Sequence, residues 1–260
     1  MTAPTSIAPW TRADGRATGR IADAVLIGFH RGALADDVVL EARRFGAPTP
    51  AALTVLELQA ITDRGWLDGW RRGAVRALAE DELGGALADL DAADGCHLVR
   101  ARVADPADHV HLQAAWAAAR WLVARGTCAV LDASALRWHP AAAVRAWPAD
   151  ASFELAREVT VVAESARAPG LRERVVHTRG LGKVARPDVV TLVAEAEVEL
   201  AVAAVRQVAA RLADGWMPSA DDARVELAAH AWSAVDLTDG GAPALASALS
   251  LGNDCVLLAR

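Results

Sequence analysis

The chain has no tyrosine, and apart from tryptophan it is poor in large aromatic and sulfur-containing residues. It has three phenylalanines, two methionines and three cysteines among 260 residues, against nine tryptophans. The cysteines are Cys96, Cys128 and Cys255; their number is odd, and they form no Cys-x-x-Cys pair. This pattern excludes a small disulfide-rich scaffold and is typical of buried thiols in a reducing compartment. We therefore expect a cytoplasmic protein.

Long apolar runs and an excess of basic charge are also absent. No apolar stretch approaches the roughly 20 residues that a membrane span needs. The N-terminus, with Pro4, Pro9 and Trp10, lacks the apolar core of a signal peptide. The formal net charge is −6 and the sequence pI is about 5.6. Because an acidic chain has no basic stripe to neutralise phosphates, we expect neither a nucleic-acid partner nor a membrane.

What the chain does contain is enough apolar sequence for a sizeable core. Hydrophobic residues make up 53% of the chain and charged residues 23%, which indicates a globular fold rather than disorder. The heavy use of alanine, arginine, aspartate and valine is typical of a GC-rich bacterial genome. Because alanine raises helix propensity everywhere, helices are better identified from the spacing of larger apolar residues.

The clearest local pattern is a strand, a helix and a second strand. Alternating apolar residues predict a half-buried strand over 97–103. Asp105 and Pro106 then form a favourable helix start, and apolar residues recur at helical spacing over 107–125. A second strand is predicted over 127–133. These three elements form a β-α-β unit, with a right-handed crossover if the strands are parallel in one sheet.

The C-terminal half contains a similar succession of elements. Apolar runs predict strands over 158–164 and 172–178. A second amphipathic helix is predicted over 194–214, with acidic residues in its first turns, where the helix dipole favours them. Strands over 224–237 and 255–258 follow.

These elements together predict an α+β fold. We expect a mixed or antiparallel sheet with split β-α-β units of the ferredoxin-like kind, covered by the long helices 107–125 and 194–214. We assign this α+β domain to residues 91–260.

The preceding residues, 1–90, are predicted as a mainly helical N-terminal portion with one strand. The strand is the short apolar run 23–29. Apolar residues at a period of 3.6 predict helices over 50–61 and 66–78, the second weakened by glycines.

The most distinctive stretch is the polar turn that follows strand 172–178. Its glycines let backbone N–H groups approach a carboxylate or phosphate, and its cations supply complementary charge. The turn is therefore the candidate site for a small anionic ligand or a partner segment. The alternative is a tight turn with solvated cations. The candidate ligand-binding residues are His177, Arg179, Gly180, Gly182, Lys183 and Asp188, with Arg186 as a further cation.

The glycines of this turn formally match a dinucleotide-binding motif, but their context does not. Pro187 falls inside the helix that the motif requires, and no acidic residue ends a second strand about 20 residues further on. A phosphate-binding Walker A loop would need glycine in place of His177, and serine or threonine in place of Val184. We therefore predict no cofactor.

Recognisable catalytic and metal-binding motifs are absent as well. The chain has no Gly-x-Ser-x-Gly, His-Glu-x-x-His or paired-carboxylate pattern. His109 and His111 would point about 200° apart on a helix, so they would share a metal only if His109 lay in the helix cap. Two functions stay open. The first is a non-catalytic binding or interaction module; the second is a hydrolase or transferase with His177 as general base beside Arg179, with or without a metal. The oligomeric state is open.

The polar turn also carries a family resemblance. His177-Thr-Arg-Gly-Leu-Gly-Lys-Val-Ala-Arg-Pro-Asp188, with Leu212-Ala-Asp-Gly215 at the end of the next helix, resembles an uncharacterised bacterial family of domains of unknown function. In that family a strand ends in a His-Thr-x-Gly turn, reaches Pro-Asp or Pro-Glu about ten residues later, and precedes a long helix. The resemblance covers residues 95–260. It implies an α+β fold and draws attention to the turn, and it implies no activity.

Overall fold

The computed structural model describes residues 6–13, 19–165, 173–218, 224–227, 230–236 and 255–259. The chain divides into two compact units, with the division between Phe153 and Glu154. The segment before Arg12 belongs to the first unit, and Arg12 belongs to the second. Each unit contains a β-sheet of its own.

The first unit is built on a five-stranded antiparallel sheet. Its strands are β1 (Ile21–His30), β2 (Leu56–Ile61), β3 (Gly95–Ala104), β4 (Ala129–Asp132) and β5 (Arg137–Pro140). Their order in the sheet is β2-β3-β1-β4-β5. The long strands β1 and β3 pair along their whole length and form the centre of the sheet. This arrangement leaves β2 and β5 as the two edges.

Helices cover both faces of this sheet. They are α1 (Ala42–Phe45), α2 (Arg64–Trp70), α3 (Gly73–Leu83), α4 (Leu87–Asp91), α5 (Val110–Ala124) and α6 (Ala141–Ala146), with 3₁₀ segments at Pro50–Val55 and Gly84–Ala86. Helix α5 lies against β1 and β3 and is buried on most of its surface. Gly28 allows this close approach, because a Cβ there would lie 3.2 Å from Thr127 and 3.4 Å from Leu122.

The opposite face of the sheet forms the main apolar core of the unit with α2, α3 and α4. Phe29 of β1 packs on Trp138 of β5 with ring centroids 5.2 Å apart. The Trp138 indole N–H donates to the Val75 carbonyl at 3.0 Å. Leu67 and Leu90 complete this core from the helices. Side chains of alternate strand residues therefore face either α5 or the α2–α4 layer, as the pleat requires.

The second unit contains a six-stranded mixed sheet. Its strands are β6 (Thr160–Ser165), β7 (Glu173–Arg179), β8 (Asp188–Ala194), β9 (Arg224–Leu227), β10 (His230–Asp236) and β11 (Cys255–Ala259). Its order is β6-β7-β8-β11-β10-β9. Strands β8 and β11 are parallel, and the other neighbouring pairs are antiparallel.

Two helices belong to the second unit, α7 (Leu155–Glu158) and α8 (Val198–Ala213), with 3₁₀ segments at Leu181–Val184 and Glu195–Glu197. Helix α8 lies on β6, β7 and β8. Its buried stripe includes Ala201, Val205, Val208 and Leu212, at the i, i+4, i+7 and i+11 spacing of an amphipathic helix. None of the helices in the described residues has the length and apolar character that a bilayer span requires.

The predicted α+β class is confirmed, and so is its clearest unit. Strand β3, helix α5 and strand β4 correspond to the β-α-β pattern predicted over 97–133. Because β3 and β4 are both antiparallel to β1, which lies between them, they are parallel to each other and the unit is split. The second unit differs, since two strands, β11 and β10, lie between β8 and β9.

Three features differ from the sequence-based expectations. The predicted helix 50–61 is wrong: a 3₁₀ segment ends at Val55, and β2 follows as a strand bonded to β3. Within the predicted strand 224–237, the described residues form two antiparallel strands, β9 and β10. The two long helices lie on two sheets where one was expected, and the division falls after Phe153 rather than after residue 90, because β1 pairs with β3.

Candidate functional site

The predicted turn joins β7 to β8 through a closed, internally bonded backbone. Strand β7 ends at Arg179, the 3₁₀ segment Leu181–Val184 follows, and β8 begins at Asp188. The segment is flanked by two left-handed residues, Gly180 with φ of 112° and Ala185 with φ of 56°. Glycine adopts this conformation freely, whereas for alanine it costs about 1 kcal/mol. The rest of the turn therefore holds Ala185 in place.

A hydrogen-bond network connects the two strand ends. The Thr178 hydroxyl donates to Asp188 Oδ1 at 2.7 Å and accepts from the Val189 N–H at 2.8 Å. The Leu181 N–H also donates to Asp188 Oδ1, at 3.3 Å. Burial raises the pKa of Asp188 above the usual range of a carboxyl group, although the bonds from Thr178 and Leu181 act in the opposite direction. Asp188 is thus a structural acceptor within the turn.

His177 lies in β7 with its side chain fully buried. Its Nε2 atom is 3.2 Å from Glu164 Oε1, and its Nδ1 atom is 3.1 Å from the Thr178 carbonyl oxygen. Both ring nitrogens therefore face internal oxygen atoms. A general base must come within hydrogen-bond reach of a substrate proton, and this buried ring presents no exposed nitrogen. The geometry gives the catalytic alternative no support.

Lys183 forms an ion pair in the interior of the second unit. Its Nζ atom lies 2.9 Å from Glu158 Oε2, and both side chains are fully buried. Glu158 is the last residue of α7, so the pair connects that helix to the turn. Burial removes both charges from water, and their mutual attraction and hydrogen bonding offset that cost.

Arg186 and Arg12 bind backbone carbonyls rather than facing solvent. The Arg186 Nε atom donates to the Leu212 carbonyl at 2.9 Å, near the C-terminal end of α8. A cation at this end satisfies orphan carbonyls and interacts favourably with the helix dipole. Arg12 Nη2 donates to the Val184 carbonyl at 2.6 Å. Both arginines are buried, so the turn is bonded to the end of α8 through Arg186 and to the N-terminal segment through Arg12.

The structure therefore brings the predicted site residues together, but around internal partners. Lys183 is directed to Glu158 and Arg186 to α8. Gly182 is exposed, and Arg179 and Asp188 are half-buried. The cations do not converge on one external point. Anion binding at this turn stays a prediction.

A second feature, not found from the sequence, is the contrast between the two edges of the first sheet. At the β5 edge, the outward N–H of Trp138 donates to Glu82 Oε2 at 2.6 Å. Two residues on, Pro140 has no N–H to offer. Partial burial raises the pKa of the Glu82 carboxyl group, although the residue as a whole is exposed. The β5 edge is therefore blocked against further strand pairing.

The β2 edge has no such cover among the described residues, where β2 pairs with β3 alone. In an antiparallel sheet, the N–H and C=O groups of successive residues point to opposite sides. The Ala133 N–H donates to the Val25 carbonyl at 3.0 Å, which fixes the direction at β1. Following this alternation from β1 to β3, and from β3 to β2, shows which residues of β2 bond to β3 and which face away from it. The outward-facing backbone groups of β2 belong to Leu56, Leu58 and Ala60.

Two exposed large apolar side chains lie at or next to this edge. Among the described residues, four large apolar side chains are exposed. Leu58 (44% exposed) belongs to β2 and Val55 (37% exposed) precedes it. The other two, Ile21 at the start of β1 and Val39, lie outside β2. Exposed apolar side chains next to an open strand edge are a feature of interaction surfaces.

A cavity of about 310 Å³ adjoins the start of β2. Most of its wall is apolar, and it also includes two carboxylates, the His111 imidazole and no lysine or arginine. Asp108 Oδ1 accepts from the Val110 N–H at 3.0 Å, at the first turn of α5. We refer to β2, Val55 and this cavity together as the β2 corner. The lining residues are Ala52, Val55, Val103, Ala104, Asp105, Pro106, Ala107, Asp108, Val110 and His111.

The described residues contain no recognisable metal site, and two of the three cysteines have raised thiol pKa values. No group of three or more His, Cys, Asp or Glu side chains there could hold a metal ion. Burial raises the pKa of Cys96 to about 12 and that of Cys128 to about 11. Such thiols are poor nucleophiles at neutral pH. Neither cysteine forms a disulfide, and nor does Cys255.

Comparison with protein families, curated proteins and solved structures finds no match to this chain. The family resemblance of the polar turn therefore stays a prediction. The β2 edge had a signal in the sequence: Leu56, Leu58 and Ala60 alternate with Glu57 and Gln59. Period-two alternation is the pattern of a strand, but the flanking leucines and alanines also fitted a helical period.

Proposed function

We propose that this protein is a non-catalytic interaction module that binds an extended partner segment as an additional strand along β2. The observation that carries the proposal is the difference between the two edges of the first sheet. The β5 edge is blocked by Glu82 and Pro140. Among the described residues, no strand pairs with the outward backbone groups of Leu58 and Ala60, and the Leu58 side chain is exposed. Addition of a strand to an open edge is a recurring mode of peptide recognition.

The side chains of the β2 corner suggest what such a segment would look like. Leu56 and Leu58 lie on the α5 face, opposite Ala101 and Val99, whereas Glu57 lies on the other face opposite Arg100. A segment with apolar residues at alternate positions would continue the apolar face. The neighbouring cavity has room for one apolar side chain, and its acidic wall favours a cationic residue nearby.

The compartment is part of the same proposal. None of Cys96, Cys128 and Cys255 forms a disulfide, and reduced cysteine is the usual state in a reducing compartment. We therefore propose that the module works in the cytoplasm.

Binding of designed strand peptides tests the proposal. The probes are fluorescein-labelled ten-residue peptides that alternate valine with lysine, or valine with glutamate. Fluorescence anisotropy should show binding of the lysine peptide. Ala60→Pro removes an outward N–H without touching the ladder to β3, and Leu58→Asp places a charge on the apolar edge. Each should weaken binding at least about tenfold, the loss expected for about 1.4 kcal/mol.

The matched control is Val39→Asp, which makes the same kind of change at an apolar side chain that is 66% exposed and outside the β2 corner. Circular dichroism should show that all variants keep the fold. Equal affinity in the control and the β2 variants would contradict the proposal, and so would a failure of both peptides to bind the unmodified protein at a concentration at which it is monomeric.

We also propose a smaller anion site at the polar turn, formed by Arg179 and the backbone around Gly182. Gly182 is exposed, and a Cβ there would have no atom within 4 Å, so the backbone of the turn is open to solvent. Half-buried Arg179 lies three residues before it. Titration with inorganic phosphate at constant ionic strength should shift the amide NMR signals of residues 179–183, and Arg179→Ala should abolish the shift. Unchanged signals up to high phosphate concentration would exclude this site.

A further inference from the structure

We infer that the strand added to the β2 corner is β2 of a second copy of this chain. The inference rests on the proposed function, because it assumes that the β2 edge is the binding edge, and it names the partner. The two copies would be related by a two-fold axis perpendicular to the sheet at Leu58. Two antiparallel β2 strands would then join the five-stranded sheets into one continuous sheet.

Backbone geometry fits this pairing. With the axis at Leu58, that residue faces itself in the second copy, and Leu56 faces Ala60. These are the residues whose N–H and C=O groups point outward, so they form the hydrogen-bonded pairs of the new ladder. Leu58 would exchange two bonds with its counterpart. The Ala60 N–H would donate to the Leu56 carbonyl on each side, while the Leu56 N–H keeps its bond to the Leu53 carbonyl.

Side-chain chemistry favours this register over its neighbour. The exposed Leu58 side chains would meet at the axis and cover each other. On the other face, Glu57 would lie opposite Gln59, whose amide can donate to the carboxylate. Glu57 is the only ionisable residue of β2, so no like charges face each other. A register centred on Gln59 would instead place Glu57 opposite Ile61, an unfavourable pair.

The interface is limited to a strand edge and its flanking side chains. Stable protein–protein interfaces bury roughly 1,200–2,000 Å² in total, and an edge of the length of β2 contributes only part of that. We therefore expect a reversible dimer whose population rises with protein concentration.

Sedimentation velocity of the full chain over a concentration series tests the inference directly. The average mass should rise from the 27.2 kDa of one chain toward twice that value. Leu58→Glu and Leu58→Lys each place like charges opposite each other at the axis, and each should weaken association at least about tenfold. An equimolar mixture of the two variants should associate again, because glutamate would face lysine. Val39→Glu, at an exposed apolar side chain elsewhere, is the control that should leave association unchanged.

Cysteine cross-linking tests the register. In a hydrogen-bonded antiparallel pair, the facing Cα atoms lie about 5.5 Å apart, a separation that a disulfide spans. Mild oxidation should therefore convert the Leu58→Cys variant into a covalent dimer. Gln59→Cys would face Glu57 and should stay largely monomeric, as should the unmodified protein with its own cysteines. Cross-linking of Gln59→Cys in preference to Leu58→Cys would overturn the register.

The outcomes separate this inference from the proposed function. A chain that stays monomeric at the highest concentration, with no association in the mixed-charge pair, overturns the self-pairing. If that monomer still binds the valine–lysine peptide, and Ala60→Pro abolishes the binding, the β2 edge binds another partner and only the present inference fails. If neither association nor peptide binding occurs, both fail.

Discussion

Thr178 uses both capacities of its hydroxyl group, donating to Asp188 and accepting from the Val189 N–H. The charged side chains of the β7–β8 turn likewise bond to partners within the protein. Lys183 binds Glu158, and Arg186 binds the end of α8. At the scale of the residue, the polar groups of this turn therefore hold two strands and two helices together. The concentration of polar and charged residues at 177–188 is therefore explained by these contacts within the fold.

Asp188 gives the first residue-scale prediction. Because the folded state raises its pKa, its ionisation is more costly in the folded than in the unfolded chain. Its contribution to stability is therefore fully present below the unfolded pKa and is lost as pH rises through the folded pKa. In Asp188→Asn, the amide oxygen can still accept from Thr178 and Leu181. The stability of this variant relative to the unmodified protein should rise as the pH rises from about 4, the usual value of a free aspartate, through the higher folded pKa of Asp188.

Urea denaturation at several pH values measures this difference. Asp188→Ala removes the acceptor altogether and leaves the Thr178 hydroxyl and the Leu181 N–H without it, so it should cost about 1–3 kcal/mol. The exposed Asp94, changed to Asn, serves as the control. A difference between Asp188→Asn and the unmodified protein that does not vary with pH would contradict the assignment.

The ion pair between Lys183 and Glu158 gives the second residue-scale prediction. Lys183→Met leaves a buried carboxylate without this partner and should lower the free energy of unfolding by about 3–5 kcal/mol. The double variant Lys183→Met/Glu158→Leu removes both charges and should be clearly more stable than the single one. Chemical denaturation of both single variants and the double variant gives the coupling energy. Arg72→Met, which breaks an exposed pair with Asp68, should change stability little.

At the scale of the element, Gly46 ends α1 at a position where both the backbone conformation and the lack of space disfavour a side chain. Its φ is 93°, and a Cβ there would lie 2.4 Å from both the Ala149 carbonyl oxygen and Arg120 Nη2. Arg120 cannot easily withdraw, because its Nε atom donates to the Phe45 carbonyl at 2.6 Å. Gly46→Ala should therefore combine left-handed strain with overpacking and cost about 2–4 kcal/mol.

Two other glycines separate these effects in guanidinium denaturation. Gly32 also has a positive φ, of 64°, but a Cβ there would have no atom within 4 Å, so Gly32→Ala should show the conformational cost alone. Gly69 lies in α2 with open space around it, and Gly69→Ala should be neutral or stabilising. A Gly46→Ala variant no less stable than Gly32→Ala would contradict the close approach of Arg120.

The elements that could be predicted are those whose signal is local. The strand, helix and strand of β3, α5 and β4 follow from alternation, a cap and a 3.6-residue period within one continuous stretch. The helix predicted over 50–61 is wrong because leucine and alanine fit both the helical and the strand period there. The strand character of this segment comes from pairing with β3, about 40 residues further along the chain. Tertiary pairing overrides local propensity in such cases.

The candidate site was predictable in part for the same reason. Composition and glycine spacing identified the turn around Gly180 and its cations. Their direction depends on partners that are distant in sequence, such as Glu158 for Lys183 and Leu212 for Arg186. The contrast between the β2 and β5 edges depends on the strand order, which no local pattern contains. The sequence therefore located a turn, and only the fold revealed the open edge.

At the scale of the whole molecule, the chain is two units that each have a sheet and a covering helix. The first sheet is assembled from both sides of residue 90, because β1 lies between β3 and β4. A division at residue 90 would leave β1 without either neighbour. A division after Phe153 leaves the five-stranded sheet, α5 and the apolar core of Phe29 and Trp138 in one piece.

Fragments of the chain test this division. The fragment 1–153 should fold alone, with strand and helix signals in circular dichroism, dispersed amide NMR resonances and cooperative unfolding. The fragment 1–90 contains β1 and β2 but lacks the β3 strand that both of them pair with, and an isolated short strand is not stable in water. It should therefore show narrow amide dispersion and no cooperative transition. Cooperative folding of fragment 1–90 would restore the division expected from the sequence and remove the basis for treating β2 as the edge of a five-stranded sheet.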